Sequence, residues 1–209
     1  MKIDITQTLS QYEYNLVELP NLRFLKAKLP DDLYSKILNE CLHCEENNIK
    51  FNTGLTGVGV PTHYKLKDTR DDLDKFLNTI VYEWLQAHPA YVKNHYTVLN
   101  KDCPFYNDEP WINIQQQNEF LPIHKHDGIL SYSIWVRLPN IENTGKFYSF
   151  QFVYSSVVGN TYEYDLQLSK KDEGTILLFP SLLNHIVSPF HSSDEKRISV
   201  SGNIKMKVE

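Results

Sequence analysis

Trp111-Ile112-Asn113-Ile114-Gln115, then His124-Lys125-His126, then Leu130-Ser131-Tyr132-Ser133-Ile134-Trp135-Val136-Arg137-Leu138 is the stretch that decides the fold. It holds two extended runs with a histidine pair in the connection. Side chains at i and i+2 of an extended chain project to one face, so His124 and His126 are placed to reach one cation together. An H-x-H pair alone is weak evidence for a metal site. A third imidazole strengthens it. Gly174-Thr175-Ile176-Leu177-Leu178-Phe179-Pro180 reads as a turn, a buried strand and a stop, and His185 follows just beyond. In a closed two-sheet core, strands distant in sequence become neighbours, so His185 can complete a set with His124 and His126. Three protein ligands leave positions on a metal open to other groups.

Working outward, short strand-like runs alternate with turn signals through the second half of the chain. They are Tyr96–Leu99, Phe147–Val153, Glu163–Leu168, Thr175–Phe179, Ile186–Val187 and Arg197–Ile204, besides the two quoted above. Such spacing predicts a sandwich, jelly roll or barrel. The first half reads as mixed α and β. Leu22 to Ala27 is a strand candidate. Pro30-Asp31-Asp32 starts a helix with the apolar stripe Leu33, Ile37, Cys41. Thr69 to Asp72 fits a loose capping pattern ahead of a second helix with Leu73, Phe76, Leu77, Ile80 and Trp84 at helical spacing, ended by His88-Pro89. The expected class is α+β, mainly β: a double-stranded β-helix (jelly-roll, cupin-like) core with N-terminal helices packed outside. The absence of a Pro/Ser-rich linker predicts a single domain over residues 1–209, with 1–94 as support and 95–209 as the core.

Bulk properties narrow the function. The chain has 209 residues, 41% hydrophobic and 22% charged, as expected of a globular protein. With 13 Tyr and 10 Phe it suits half-buried pleated surfaces. A net charge of -5 offers no basic footprint for a nucleic-acid backbone. Cys41, Cys44 and Cys103 cannot all pair, which points to a reducing cytoplasm. Cys41 and Cys44 lack a second ligand pair for zinc and read as small residues of one helix face. Nothing resembles a signal core or membrane span. The Gly-rich loop from Asn52 to Pro61, with Gly54, Gly57 and Gly59, has no phosphate-binding spacing. His43, His63, His88, His95 and His191 have no ligand-like partner and read as ordinary surface or hydrogen-bonded residues.

Arg197 and Ser199 share one face of the last strand. A guanidinium fork beside a hydroxyl suits a carboxylate, which Arg binds bidentately. Asn113 and Gln115 share a face of the strand preceding the histidine pair. Ser131 and Trp135 share one on the strand after it. Each of these side chains either lines the cavity or fills the interior.

Taken together, Trp111-x-Asn113, Pro122-x-His124-x-His126-x-Gly128, Leu130-Ser131, Pro139, Glu173-Gly174, Phe179-Pro180-Ser181, His185-x-Val187-x-Pro189-Phe190 and Arg197-Ile198-Ser199-Val200-Ser201-Gly202-Asn203 resemble the 2-oxoglutarate/Fe(II) oxygenases of tailed phages and bacteria, distant relatives of prolyl 4-hydroxylases. The resemblance covers about residues 95–205. It implies that His124 is the first metal ligand, His185 the distal one, and that Arg197, assisted by Ser199, binds the remote carboxylate of 2-oxoglutarate; strand alternation adds Asn113 and Ser131 as candidate contacts to the co-substrate or as interior filler. It implies Fe(II), 2-oxoglutarate as co-substrate and O2, and hydroxylation of a substrate with release of succinate and CO2. The family's usual pattern is H-x-D/E, whereas the slot after His124 holds His126. Either His126 ligates directly, which strand alternation favours, or Asp127 supplies a carboxylate through a bulge. A three-histidine set also suits a cupin-type metalloprotein that does not use 2-oxoglutarate. A non-enzymatic jelly-roll binding or virion protein would need no metal at all. The expected substrate is a peptide or small molecule rather than nucleic acid, with no membrane partner, in the cytoplasm (the host's, if phage-encoded).

Overall fold

The structure is a computed structural model that describes residues 23–47, 49–51, 59–89, 91, 105–141 and 149–207. Two antiparallel sheets face each other. The major sheet has 7 strands in the order β1-β9-β6-β11-β4-β2, with β3 also paired to β11; the minor sheet has 4, in the order β5-β10-β7-β8. The strands are β1 (Leu25–Lys28), β2 (Thr62–Lys65), β3 (Phe105–Asn107), β4 (Trp111–Gln115), β5 (Leu121–His124), β6 (Leu130–Arg137), β7 (Ser149–Ser155), β8 (Thr161–Gln167), β9 (Thr175–Pro180), β10 (Asn184–Val187) and β11 (Arg197–Met206). The sequence order jumps between sheets, which gives the expected jelly-roll core.

Strand alternation splits the major sheet into two faces. Ile112 and Ile114 of β4, Leu130, Ile134 and Val136 of β6, Ile176 and Leu178 of β9, and Ile198 and Val200 of β11 point outward into a buried apolar layer. Helices α1 (Asp31–Leu42) and α3 (Arg70–Ala87) close that layer. They contribute Leu33, Ile37 and Cys41, and Leu73, Leu77, Ile80 and Trp84, with Phe76 partly buried against it. The opposite face looks into the sandwich. At one end it meets an aromatic cluster of Trp135, Phe150, Phe152, Phe179 and Phe190. Toward the other end it turns polar, and there the cavity opens.

Three local expectations change. Thr69 makes no side-chain cap to α3. Its hydroxyl instead donates to Glu40 at 2.7 Å, and Glu40 also takes the backbone N–H groups of Lys67 (2.6 Å), Asp68 (3.0 Å) and Thr69 (2.9 Å). A carboxylate from α1 thus serves the entry of α3, because N–H groups at and just ahead of a helix start donate to any well-placed anion. Second, Cys41 and Cys44 do not share one helix. The first helix stops at His43, and Cys44 begins a short α2 (Cys44–Asn47). Both thiols are buried in the core, and burial pushes both up. Third, β2, β3 and β5 are strands that no alternating pattern announced. Tyr96–Leu99, His95, Cys103, Gly54 and Gly57 lie outside the described residues. Among the described residues no helix is long and apolar enough to cross a membrane.

Two glycines are dictated by geometry. Gly128 turns the chain from the histidine pair into β6 with φ +132°, a region L side chains rarely adopt. At Gly202 an added Cβ would lie 2.6 Å from the Tyr132 ring carbon bearing its hydroxyl. G202A is expected to cost about 1–3 kcal/mol through overpacking, read as a lower denaturant midpoint with an unchanged slope.

Glu40 supplies a second test. Burial alone would raise its carboxyl, but the four hydrogen bonds outweigh it and hold the group below the ordinary carboxylate range. Stability from such a group is present above the unfolded value of about 4.3 and is lost as pH falls through the folded value. E40A leaves buried amides unsatisfied and is expected to cost about 3 kcal/mol at neutral pH. The deficit should shrink in acid; an equal deficit at pH 3 and pH 7 would refute the carboxylate's role.

Candidate functional site

β5 and β10 run antiparallel, and their register sets His185 opposite His124. His124 is the last residue of β5. His126 lies just beyond it, fixed by its own N–H donating to the Ser181 carbonyl at 2.9 Å. The three rings converge: centroids are 4.2 Å apart for His124–His185, 5.1 Å for His126–His185 and 5.2 Å for His124–His126. One ligand nitrogen from each lies within 4.8 Å of the others. One cation at ordinary metal–nitrogen distances of about 2.0–2.2 Å would touch all three with small side-chain adjustment.

The tautomers suit that use. His124 Nδ1 donates to the Pro122 carbonyl at 2.6 Å, and His185 Nδ1 to the Leu183 carbonyl at 3.0 Å. Each carbonyl accepts only, so the ring proton sits on Nδ1 and the Nε2 lone pair is left for a metal. Phe150 stacks on the His185 ring at 5.3 Å, and Phe179 meets it edge-on at 5.1 Å. Burial depresses the basicity of all three rings, His126 to about 4. They are therefore neutral at pH 7, the form that ligates. An all-imidazole set of nitrogen donors with open faces fits iron, among other first-row metals.

Asp127 does not join them. Its side chain is 90% exposed and pairs with Lys205 at 3.3 Å, while Lys205 also holds Asp108 at 2.7 Å. Of the two side chains after His124, His126 is the one set beside the other imidazoles, and Asp127 is turned outward.

The triad forms one wall of a cavity of about 520 Å3. The facing wall is the polar face of the major sheet: Asn113 and Gln115 from β4, Ser199 and Ser201 from β11, Ser133 from β6. Its hydrogen bonds have a fixed polarity. The Trp111 indole N–H donates to Asn113 Oδ1 at 3.0 Å. The Asn113 amide nitrogen must then face β11, where it donates to Ser199 Oγ at 3.2 Å and Ser201 Oγ at 3.1 Å. Both hydroxyls accept from Asn113, so their own protons remain to be donated to a ligand. Also in the lining, Trp111 stacks on Phe51 at 5.8 Å and sits 5.7 Å from the His126 ring.

Arg197 is 2% exposed and points inward. Its Nη1 donates to Gln115 Oε1 and to the Ser188 carbonyl, both at 3.1 Å, and its guanidinium lies 5.3 Å from the centre of the Phe190 ring. It stands behind Gln115 rather than in the cavity wall itself. Ser131 is not in the wall either. Its hydroxyl is buried between Ser181 (2.9 Å) and Asn203 (2.8 Å), below the turn that carries His126. Trp135 sits in the aromatic cluster. Sequence reasoning missed Ser133, Ser201 and His63. His63, without a ligand-like partner in the sequence, is 6% exposed in the cavity wall, and burial lowers it to about 4. The period of two on β11 was a usable signal for Ser201; β2 offered none for His63. The other described histidines are ordinary: His43 against Asn39, His88 on Trp84, His191 against Asn118.

Comparison with known families falls on the same stretch of chain. Residues 109–203 match a family model described as "Putative 2OG-Fe(II) oxygenase". That span runs from the approach to β4 to the middle of β11 and so contains the triad, Asn113, Ser199 and Arg197. No curated protein sequence matches. Among solved structures, a prolyl-4-hydroxylase from Pseudomonas putida is similar at a TM-score of 0.59 and 13% identity, covering 88% of this chain and 92% of that one. A viral collagen prolyl hydroxylase from Paramecium Bursaria Chlorella virus-1, solved as a 2OG complex, is similar at 0.54 and 10%, covering 89% and 96%. HygX from Streptomyces hygroscopicus, solved with nickel, 2-oxoglutarate and hygromycin B, is similar at 0.53 and 12%, covering 87% and 82%. At these identities the likeness is one of fold.

Two outcomes check the metal assignment. H126A is expected to lose about tenfold or more in Fe(II) affinity, with D127N unchanged, by titration of chelator-stripped protein; the reverse pattern would make Asp127 the ligand. For the metal-free protein, unfolded histidines titrate near pH 6.5 while buried His63 and His126 resist protonation until about pH 4. Their contribution is present above pH 6.5 and is lost as pH falls toward 4. H63N is expected to flatten the stability slope within that window and to leave it unchanged above pH 7.

Proposed function

We propose that this chain is an Fe(II)- and 2-oxoglutarate-dependent oxygenase that hydroxylates a peptide or small-molecule substrate. The observation that carries the reading is the convergence of three neutral imidazoles on one point, facing a wall of hydroxyl donors backed by a buried guanidinium. The family match over the same residues supports it. A fold shared with prolyl hydroxylases and with a structure holding 2-oxoglutarate and nickel is consistent with it.

His124, His126 and His185 would hold the iron through Nε2 of His124 and His185 and one ring nitrogen of His126. The Pro122 and Leu183 carbonyls keep the first two rings in the ligating tautomer and orientation. When bound, Fe(II) with 2-oxoglutarate and O2 supplies an oxidative decarboxylation that releases succinate and CO2 and puts one oxygen atom into a substrate C–H bond. The chain's remaining task is positioning. Ser199 takes the remote carboxylate of the co-substrate, donating the proton that Asn113 leaves available, and Arg197, one layer behind at Gln115, supplies the balancing positive charge. Ser201 presents a second hydroxyl of the same polarity. Phe150 and Phe179 cover the buried side of the His185 ring. The substrate enters past Trp111 and Phe51, where the cavity mouth is aromatic on one side and carries the Asp108, Asp127 and Lys205 charges on the other.

Three imidazoles alone would equally serve a cupin-type metalloprotein without 2-oxoglutarate; the buried guanidinium is what favours the oxygenase. The two differ in one measurement. Anaerobic Fe(II) protein is expected to gain a weak visible absorption band on adding 2-oxoglutarate, and to release succinate with O2 and ascorbate. R197Q should weaken 2-oxoglutarate binding about 10- to 100-fold, the usual worth of a hydrogen bond to a charged group. A spectrum indifferent to 2-oxoglutarate would sink the proposal.

A further inference from the structure

The link between the guanidinium and the cavity is Gln115. It is 2% exposed, lines the cavity, and faces Arg197 directly across the β4–β11 pair. Its amide can point only one way. The nitrogen donates to two backbone carbonyls, Glu119 at 2.5 Å and Ser188 at 3.4 Å. Carbonyls accept and never donate, so Oε1 is forced toward Arg197, whose Nη1 it receives at 3.1 Å. The same Nη1 donates to the Ser188 carbonyl at 3.1 Å. Phe190 covers one side of the guanidinium at 5.3 Å from the ring centre. The fork is therefore held by two acceptors and a ring face, and one of the acceptors is a cavity-lining side chain. Behind it, the Ser188 hydroxyl donates to Gln151 Oε1 at 3.2 Å, which ties the clamp to β7.

We infer that Gln115 is a positioning residue for the co-substrate: it fixes the orientation of the Arg197 guanidinium and so decides that a 2-oxo acid with a second, remote carboxylate is chosen over one without it. The inference rests on the oxygenase reading and deepens it. Asn113, on the same face of β4, has a different task, since its amide orients the Ser199 and Ser201 hydroxyls. β4 thus carries two carboxamides in alternate positions, one ordering the hydroxyl donors and the other ordering the cationic donor.

The test compares equilibrium binding of 2-oxoglutarate and of 2-oxovalerate, which has the same chelating end and no remote carboxylate, to metal-loaded protein by calorimetry. The variants are Q115M, which keeps the length and removes the acceptor, and Q115E, which sets a permanent carboxylate against the guanidinium. In both, 2-oxoglutarate is expected to weaken about tenfold or more, as for a hydrogen bond to a charged group, while 2-oxovalerate and the metal change by less than about twofold. In turnover, KM for 2-oxoglutarate should rise with kcat kept at saturation. Metal titration reads folding, so a variant that no longer folds is recognised and the other carries the comparison. Wild type that prefers 2-oxoglutarate, with variants that keep the preference or weaken both acids equally, overturns the role of Gln115 alone. Wild type that does not distinguish the two acids overturns the assignment of Arg197 and this inference with it.

Discussion

The antiparallel pairing of β5 with β10 is the constraint on which the rest depends. It sets His185 opposite His124. Cross-strand neighbours have Cβ atoms about 4.5–5.5 Å apart, close enough for two imidazoles to share one ion. His126 lies two residues beyond, anchored by its N–H on the Ser181 carbonyl. Everything else at the site is arranged around those rings: carbonyls that fix their tautomer, aromatic rings that exclude water from one flank, and a polar sheet face across the cavity.

That polar face is unusual for the interior of a sandwich, which is normally filled by apolar side chains of both sheets. Here the major sheet is apolar on its outer face, where α1 and α3 cover it, and polar on part of its inner face. The helices thereby relieve the space between the sheets of part of the core's burden. The inter-sheet space divides into an aromatic end that holds the sheets together and a polar end that stays open. The buried polar groups of the open end are bonded in chains, Trp111 to Asn113 to the two serines and Arg197 to Gln115 and Ser188. Each chain has one allowed direction of donation, and in the first that direction leaves the two serine hydroxyls as donors toward the cavity.

An all-imidazole ligand set would also change the charge at the centre. A carboxylate ligand would lower the charge of a bound divalent ion by one, whereas three neutral rings leave it whole. Such a site attracts an anionic chelator more strongly. The nearest acid, Asp127, is engaged with Lys205 at the rim. A buried guanidinium, Arg197, lies deep in the sandwich behind Gln115.

The amino-acid sequence by itself determined which side chains belong to which face. The period of two placed Asn113 with Gln115, Arg197 with Ser199, and His124 with His126, because extended backbone leaves no other choice. The apolar stripes of both helices and most strands were legible for the same local reason. What only the tertiary structure decided is anything set by pairing partners distant along the chain. The strands β2, β3 and β5 are short and owe their conformation to the neighbours they bond. Glu40 serves α3 across 29 positions of sequence, so the local Thr69 signal misled. Ser131 and Ser133 share a face, yet only Ser133 meets the cavity, because the turn at Ser181 covers the other. The station of Arg197 behind Gln115, and of His63 in the wall, follows from sheet register and layer stacking. Those are fixed by the packing of the whole sandwich, and no window of neighbouring residues encodes them.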